Sequence, residues 1–201
     1  MSGAGQVPFV GLTGGIGAGK STALAALEEL GAATLSADAV VHELLGSEEV
    51  RDALVSRLGT EVLDSGGAVD RGAVATRVFE NAEDRSWLEG MLWPRVGARM
   101  IEWRASTDAL EPPPAAAVVE VPLLFEAGME GVFDTTIVVF ADEPARMERA
   151  RARDHTAVAE RAARQLSQQE KAARAGHVVR NDGSREELKA ELSRVLATIK
   201  D

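Results

Sequence analysis

The segment from Gly14 to Ser21 constrains this chain more than any other part of its sequence. It reads GGIGAGKS and matches the phosphate-binding pattern G-x-x-x-x-G-K-[ST] in full. An apolar stretch, 8–13, precedes it, and residues 20–30 form a helical pattern that Gly31 ends. Because glycines let the backbone turn tightly and aim its N–H groups inward, the segment predicts a nest for phosphate oxygens at a helix N-terminus.

Two side chains of this loop carry predicted roles. Lys20 is expected to reach the β- and γ-phosphates of a nucleotide, and the Ser21 hydroxyl is expected to bind Mg²⁺. The alternative is a glycine-rich turn with a surface lysine. A GTPase-type switch needs the guanine-binding pattern N-K-x-D, and this pattern is absent from the sequence. A phosphotransferase, a nucleotide-operated switch and an ATPase coupled to a partner all stay open.

Composition removes several other classes of function. The 201 residues carry a net charge of −10. Non-specific binding to nucleic acid or to an anionic membrane requires a positive charge. There is no cysteine and only three histidines, which argues against disulfides, thiol catalysis and Cys- or His-based metal clusters. No apolar run approaches the roughly 20 residues that span a bilayer. We therefore expect a soluble, cytoplasmic protein with no nucleic-acid or membrane partner.

The order of apolar stretches and helical patterns predicts an α/β fold. Strands that alternate with helices indicate βαβ units around a parallel sheet, and the long helical pattern that follows the second strand indicates an insertion on that sheet. A break in this insertion is expected at 64–70. The predicted strands are 8–13, 32–36, 115–121, 135–141 and 175–179, and the predicted helical regions are 20–30, 39–107, 143–174 and 184–199.

A kinase needs a carboxylate near the acceptor hydroxyl, a basic clamp and a cover that excludes water. Asp38 follows the second strand, where ligand sites of α/β sheets lie, although a helix N-cap is its alternative role. Arg146, Arg149 and Arg153 share a helix face in an Arg-rich segment and are candidates for closing over the phosphates. Ion pairs with nearby acids are the alternative. Glu120 ends an apolar strand and is a candidate for reaching Mg²⁺ through water, or else a buried acid with a partner.

The tight turn 181–183 (NDG) precedes the last predicted helix. Its backbone and the Asn181 amide are candidates for contact with the adenine, and an ordinary turn is the alternative. Ser184 and Glu187 have the spacing of a capping box for the helix that follows.

The combination of these motifs resembles the dephospho-coenzyme A kinase family over nearly the whole chain. The stretch VPLLFE and the order of the motifs are more specific than the glycine loop, which many proteins share. The motifs that carry the resemblance are GLTGGIGAGKST (11–22), SADAVVHEL (36–44), VPLLFE (121–126), RxxxRD (149–154), RxxxQ (161–165), EK (170–171) and NDGS (181–184).

The resemblance implies a P-loop NTPase fold of the nucleotide-kinase type, with a five-stranded parallel core, a helical insertion that holds the coenzyme A moiety and a helical lid. As a single domain over 1–201, the core would comprise 7–38, 115–142 and 175–201, the insertion 39–114 and the lid 143–174. It also implies the reaction, in which ATP phosphorylates the ribose 3′-hydroxyl of dephospho-coenzyme A. The sequence does not determine the oligomeric state. The alternative function is that of another small kinase that acts on a nucleoside or a nucleotide.

The resemblance also assigns residues. Asp38 matches the family's proposed base, Lys20 and Ser21 match its phosphate and magnesium residues, and Arg149 and Arg153 fall in its lid. The residues expected to bind the nucleotide are Gly14, Gly15, Gly17, Ala18, Gly19, Lys20, Ser21, Thr22, Asn181 and Gly183. Four positions depart from the family pattern, in the expected acceptor pocket and around the 181–183 turn; they are Ser36, Trp93, Gly176 and Arg180.

Overall fold

The structure is a computed structural model that describes residues 6–143 and 165–200. Within those residues no helix combines the length and the apolar character that crossing a membrane requires. Arg149, Arg153 and most of the expected lid 143–174 lie outside the described residues.

A five-stranded sheet connects distant parts of the chain. Its strands are β1 (Phe9–Gly14), β2 (Ala33–Ser36), β3 (Ala117–Glu120), β4 (Thr135–Phe140) and β5 (His177–Arg180). They lie in the order β2-β3-β1-β4-β5, and every neighbouring pair is parallel. The predicted five-stranded parallel sheet is confirmed, and it brings the ends of β1, β3 and β4 to one edge.

Helices fill the connections between these strands. The described helices are α1 (Lys20–Glu29), α2 (Ala37–Leu45), α3 (Glu48–Leu58), α4 (Arg71–Glu80), α5 (Ala82–Asp108), α6 (Gln168–Arg174) and α7 (Arg185–Lys200). The predicted break at 64–70 is confirmed as a turn, which an antiparallel bridge between Leu63 and Val69 closes. The capping box at the start of α7 is confirmed as well, since Ser184 N donates to the Glu187 carboxylate at 2.8 Å and Glu187 N donates to Ser184 Oγ at 3.2 Å.

The continuous helical pattern expected over 143–174 is wrong at residues 165–167, which are not helical. Ser167 instead caps a new helix, because its hydroxyl accepts from Glu170 N while the Glu170 carboxylate accepts from Ser167 N at 2.8 Å. The S-x-x-E spacing of this capping box is present in the sequence. Because Ser167 is the N-cap residue, α6 begins at Gln168.

Apolar side chains of α1 and α7 cover the sheet. Leu188, Leu192 and Leu196 recur at four-residue spacing along α7 and are buried with Leu27 of α1 against residues of β1, β3 and β4. Burial of each such leucine stabilises the fold by about 1.5–3 kcal/mol. This packing fixes α1, and therefore the loop in front of it, on the sheet.

The chain divides into two compact units. The sheet unit consists of Met1–Ser36 and Trp103–Asp201, and the helical unit consists of Ala37–Glu102. The helical unit has its own core, in which Leu54 of α3 is fully buried with Val50 and Leu58. The predicted division into core (7–38, 115–142, 175–201), insertion (39–114) and lid (143–174) stays a prediction.

Candidate active site

The glycine loop, residues 14–21, connects the end of β1 to the start of α1. Gly17 and Gly19 have φ values of 76° and 91°, in the left-handed region that favours glycine. Gly14 is required for another reason, since a Cβ atom there would lie 2.5 Å from the Val139 carbonyl oxygen of the neighbouring strand β4. The sequence pattern therefore corresponds to a backbone that only glycine allows at these positions.

The N-terminus of α1 leaves backbone donors for a ligand. Gly19 is the N-cap residue and has no side chain that could accept from the first N–H groups of the helix. The first turn of α1 carries no acidic residue either. Uncapped N–H groups and the positive end of a ten-residue helix make this terminus suitable for an anion such as a phosphate.

Lys20 folds back over the glycine loop. Its ammonium group donates to the Gly14 carbonyl oxygen at 3.1 Å and lies 3.5 Å from that of Gly15. The positive charge therefore lies at the loop itself, where a phosphate would bind. Ser21 and Thr22, which follow Lys20 in the first turn of α1, are exposed.

Asn181 supports the glycine loop through a hydrogen bond to its backbone. Its side-chain N–H donates to the Ala18 carbonyl oxygen at 2.8 Å, and its backbone N–H donates to Phe140 O at 2.8 Å. Both Asn181 and Ala18 are buried. The amide expected to contact adenine thus supports the loop, and the adenine contact stays a prediction. Gly183 makes room for the capping carboxylate of Glu187, whose Oε2 would lie 2.1 Å from a Cβ atom at position 183.

The ends of β2 and β3 place a carboxylate next to a hydroxyl. Ser36 pairs with Glu120 in the sheet, and its Oγ donates to Glu120 Oε2 at 2.9 Å. Glu120 is buried, so it is the buried acid with a partner that the sequence allowed, and its link to Mg²⁺ stays a prediction. Among the described residues, no group of three or more acidic or histidine side chains is arranged to hold a metal.

Asp38 is the second residue of α2, which follows β2 directly, and its side chain is exposed. It lies within the first turn of the helix and does not occupy the N-cap position. Asp38 belongs to the helical unit, whereas the glycine loop belongs to the sheet unit. Its role toward an acceptor stays a prediction.

A cavity of about 260 Å³ adjoins the glycine loop in the sheet unit, and sequence reasoning missed it. Its lining residues are Gly15, Phe140, Ala141, Asp142, Glu143, Gln165, Leu166, Ser167, Gln168 and Gln169. The Gln168 amide fixes one wall, because its Nε2 donates to Ala141 O at 2.7 Å and its Oε1 accepts from Ala141 N at 3.2 Å. Nothing in the sequence pattern pairs these two residues.

A fully buried lysine supports the same wall. The Lys171 ammonium group donates to Pro122 O at 2.9 Å and forms an ion pair with Glu126 at 3.0 Å. Glu126 also accepts from Leu166 N at 2.8 Å, and Thr13 Oγ1 donates to the same Pro122 carbonyl at 3.3 Å. This network joins the end of β1, the loop after β3 and residues 166–171. The motifs VPLLFE and EK contain its two charges, but sequence reasoning gave them no role.

The capping box that begins α6 contains a carboxyl group with a shifted pKa. The Ser167 hydroxyl donates to Glu170 Oε2 at 2.7 Å, and together with the Ser167 backbone N–H it holds the pKa of the Glu170 carboxyl below its ordinary value. The capping box is therefore strongest when Glu170 is ionised.

Two of the remaining departures from the family pattern have a local explanation. A Cβ atom at Gly176 would lie 2.3 Å from Thr135 Oγ1, so this hydroxyl would have to move to admit a larger residue. The Arg180 guanidinium lies 5.2 Å from the Phe140 ring centroid and forms ion pairs with Asp142 and Asp182. Trp93 is exposed on α5, and nothing in the structure explains it.

A parallel sheet in the order β2-β3-β1-β4-β5, with a phosphate-binding loop after β1 and its lysine on α1, defines a P-loop kinase of the nucleotide-kinase type. Residues 8–187 match the dephospho-CoA kinase family, and the chain belongs to that family.

Individual relatives agree with this assignment. The chain is 40% identical over 195 residues to the dephospho-CoA kinase of Anaeromyxobacter dehalogenans, covering 95% of this chain and 92% of that one. A crystal structure of a Thermus thermophilus protein matches with a TM-score of 0.80 and 35% identity, covering 96% of this chain and 98% of that one. The structure of dephospho-CoA kinase from Campylobacter jejuni matches with a TM-score of 0.69 and 26% identity, covering 94% of this chain and 96% of that one.

Proposed function

We propose that this chain transfers the γ-phosphoryl group of ATP to the ribose 3′-hydroxyl of dephospho-coenzyme A, giving coenzyme A and ADP. This reaction is the last step of coenzyme A biosynthesis. The proposal is supported by the glycine loop with Lys20 folded over it, in a chain that matches the dephospho-CoA kinase family over residues 8–187. The proposal places the reaction in the cytoplasm and involves no nucleic acid or membrane.

On the donor side, the backbone N–H groups of residues 14–22 bind the phosphates of ATP. Lys20 exchanges the carbonyl oxygens of Gly14 and Gly15 for phosphate oxygens and stabilises the charge that develops on the transferring group. Asn181 holds the loop in shape through Ala18, and the turn at Gly183 lies beside the nucleobase in this proposal. Arg149 and Arg153 supply further positive charge to the phosphates.

On the acceptor side, Asp38 accepts a hydrogen bond from the 3′-hydroxyl and aims its oxygen at phosphorus. Its exposed carboxylate in the first turn of α2 is accessible to a substrate. Because the transition state of phosphoryl transfer is loose, orientation of the hydroxyl contributes more than early removal of its proton.

The donor set fits Mg²⁺. This ion keeps several waters and is usually held by one or two protein groups together with substrate phosphates, and Ser21 offers an exposed hydroxyl beside the glycine loop. The buried carboxylate of Glu120, which accepts from Ser36 Oγ, is the candidate for orienting a water ligand of the ion. When bound, Mg²⁺ neutralises charge on the β- and γ-phosphates.

The test is ADP release from Mg·ATP with dephospho-coenzyme A, AMP or adenosine as acceptor, combined with mass spectrometry of the product. We expect ADP only with dephospho-coenzyme A, and a product heavier than that acceptor by one phosphoryl group. Phosphorylation of AMP or adenosine instead would make the chain a nucleotide or nucleoside kinase. ADP release that is indifferent to every acceptor would leave a nucleotide-binding protein without kinase function.

A further inference from the structure

The helical unit contains an arginine whose contacts differ from those of its neighbours. The unit holds thirteen acidic residues and seven arginines, and it has no lysine. Five of the arginines form ion pairs with acids of the same unit; the pairs are Arg51–Asp52, Arg57–Asp84, Arg77–Asp84, Arg95–Glu49 and Arg99–Glu102. The other two, Arg71 and Arg85, have no carboxylate at ion-pair distance among the described residues, and of these two Arg71 contacts His42.

The contact between Arg71 and His42 fixes the hydrogen-bonding state of both. A guanidinium group only donates, so His42 Nδ1 accepts from Arg71 and the ring N–H donor lies at Nε2. The pair therefore presents a cation and a second N–H donor side by side. Both side chains are exposed. A site made only of donors, with net positive charge, is suited to an anion such as a phosphate group.

The position of Arg71 is also unfavourable for the helix that contains it. It is the first residue of α4, where the positive end of the helix disfavours a cation, and the first turn itself contains no acidic residue besides the N-cap Asp70 that precedes it. The adjacent Asp70 carboxylate is occupied by capping, since it accepts from Gly72 N at 2.8 Å and Ala73 N at 3.1 Å. Residues that break a local rule are expected at functional sites.

His42 follows Asp38 by four residues on α2, so the two side chains lie on one face of the helix, about 6 Å apart. In dephospho-coenzyme A, the 3′-hydroxyl and the 5′-diphosphate lie on either side of one ribose ring, a separation of the same scale. We propose that His42 and Arg71 bind the diphosphate of the acceptor while Asp38 holds its 3′-hydroxyl. This inference rests on the proposed function and names the part of the substrate that the helical unit recognises.

The test measures binding of dephospho-coenzyme A to the full chain by calorimetry without ATP, for wild type, Arg71→Met and the control Arg99→Met. Arg99 is an exposed arginine of the same unit that already has a partner in Glu102. We expect Arg71→Met to raise Kd about ten- to a hundredfold, because a charge-assisted hydrogen bond is lost, whereas Arg99→Met leaves it unchanged. The KM for ATP stays the same in both variants. Binding by Arg71→Met also depends less on salt.

Further variants separate recognition from folding. Arg71→Lys keeps the charge without the planar fork and is expected to bind with intermediate affinity. His42→Asn removes the donor at Nε2 and weakens binding less than Arg71→Met. Equal affinity of Arg71→Met and Arg99→Met would overturn the inference, and a lowered Tm with unchanged Kd would assign the pair to folding alone. Failure of the wild type to phosphorylate dephospho-coenzyme A refutes the proposed function instead, and is seen in the turnover assay.

Discussion

The sheet unit and the helical unit place their polar groups in different ways. In the sheet unit, the glycine loop offers backbone N–H groups at the end of a buried strand, and buried side chains such as Asn181 and Lys171 support the surrounding backbone. In the helical unit, the candidate groups Asp38, His42 and Arg71 are exposed side chains on helices. A site made of backbone leaves a compact sequence motif, whereas a site made of side chains on separate helices does not.

The largest effect, on kcat, is expected from removing the positive charge of Lys20 at the glycine loop or the negative charge of Asp38 on the acceptor side. Lys20→Ala and Asp38→Asn should each lower kcat by about 10²–10⁴, because each removes a group that acts on the reacting atoms. The Kd for ATP distinguishes the two variants, because Lys20→Ala should weaken ATP binding whereas Asp38→Asn should leave it unchanged. Circular dichroism and Tm close to wild type are expected for both, since Asp38 is exposed and the Lys20 ammonium group donates to the Gly14 carbonyl oxygen of its own loop. Near-normal kcat in Asp38→Asn would remove this residue from the mechanism.

A smaller effect, on stability, is expected at the buried ion pair of the sheet unit. Lys171→Met should lower the free energy of unfolding by about 3–5 kcal/mol, because the Glu126 carboxylate is left in the interior without its cation. The double variant Lys171→Met/Glu126→Leu should recover most of this loss, since apolar side chains of similar volume can replace a buried pair. Urea unfolding measures both.

Lys189→Met is the matched control, because Lys189 forms an exposed ion pair with Glu29 and its loss costs at most about 1 kcal/mol. If the double variant is stable and still has lowered kcat, the ion pair also positions the cavity wall next to the glycine loop. Equal stability of Lys171→Met and Lys189→Met would contradict the assignment of Lys171 to the interior.

The smallest effect is expected from the exposed capping box of the cavity wall. The pKa of Glu170 is lowered in the folded chain, so its contribution to stability is present above the unfolded pKa and is lost as pH falls through the lowered folded pKa. Glu170→Gln should therefore lower stability slightly at neutral pH and make no difference well below the ordinary glutamate pKa of about 4.3. Urea unfolding of both proteins across this range gives the comparison. A constant difference between them at every pH would contradict the role of ionised Glu170.

Much of the sheet unit follows from the sequence, and the reason is physical. The β1–glycine loop–α1 segment is encoded by local rules: an apolar strand, glycines at positive φ and a helix pattern. The parallel pairing of the strands follows from the alternation of strands and helices, whereas the order β2-β3-β1-β4-β5 was not predicted. The bond from Gln168 to Ala141 and the ion pair from Lys171 to Glu126 were missed because they join residues that are distant in sequence. The non-helical residues 165–167 were missed because the helical pattern of the segment outweighed the capping signal of Ser167.

The close approach of Gly14 to β4 has a consequence for how such chains diverge. A Cβ atom at this position would collide with the Val139 carbonyl oxygen whether or not a nucleotide is ever bound. Selection for folding and selection for phosphate binding therefore act on the same residue. A descendant that had lost catalysis would still retain this glycine, whereas this close approach places no demand on Lys20. The lysine is thus the better marker of surviving activity in a distant relative.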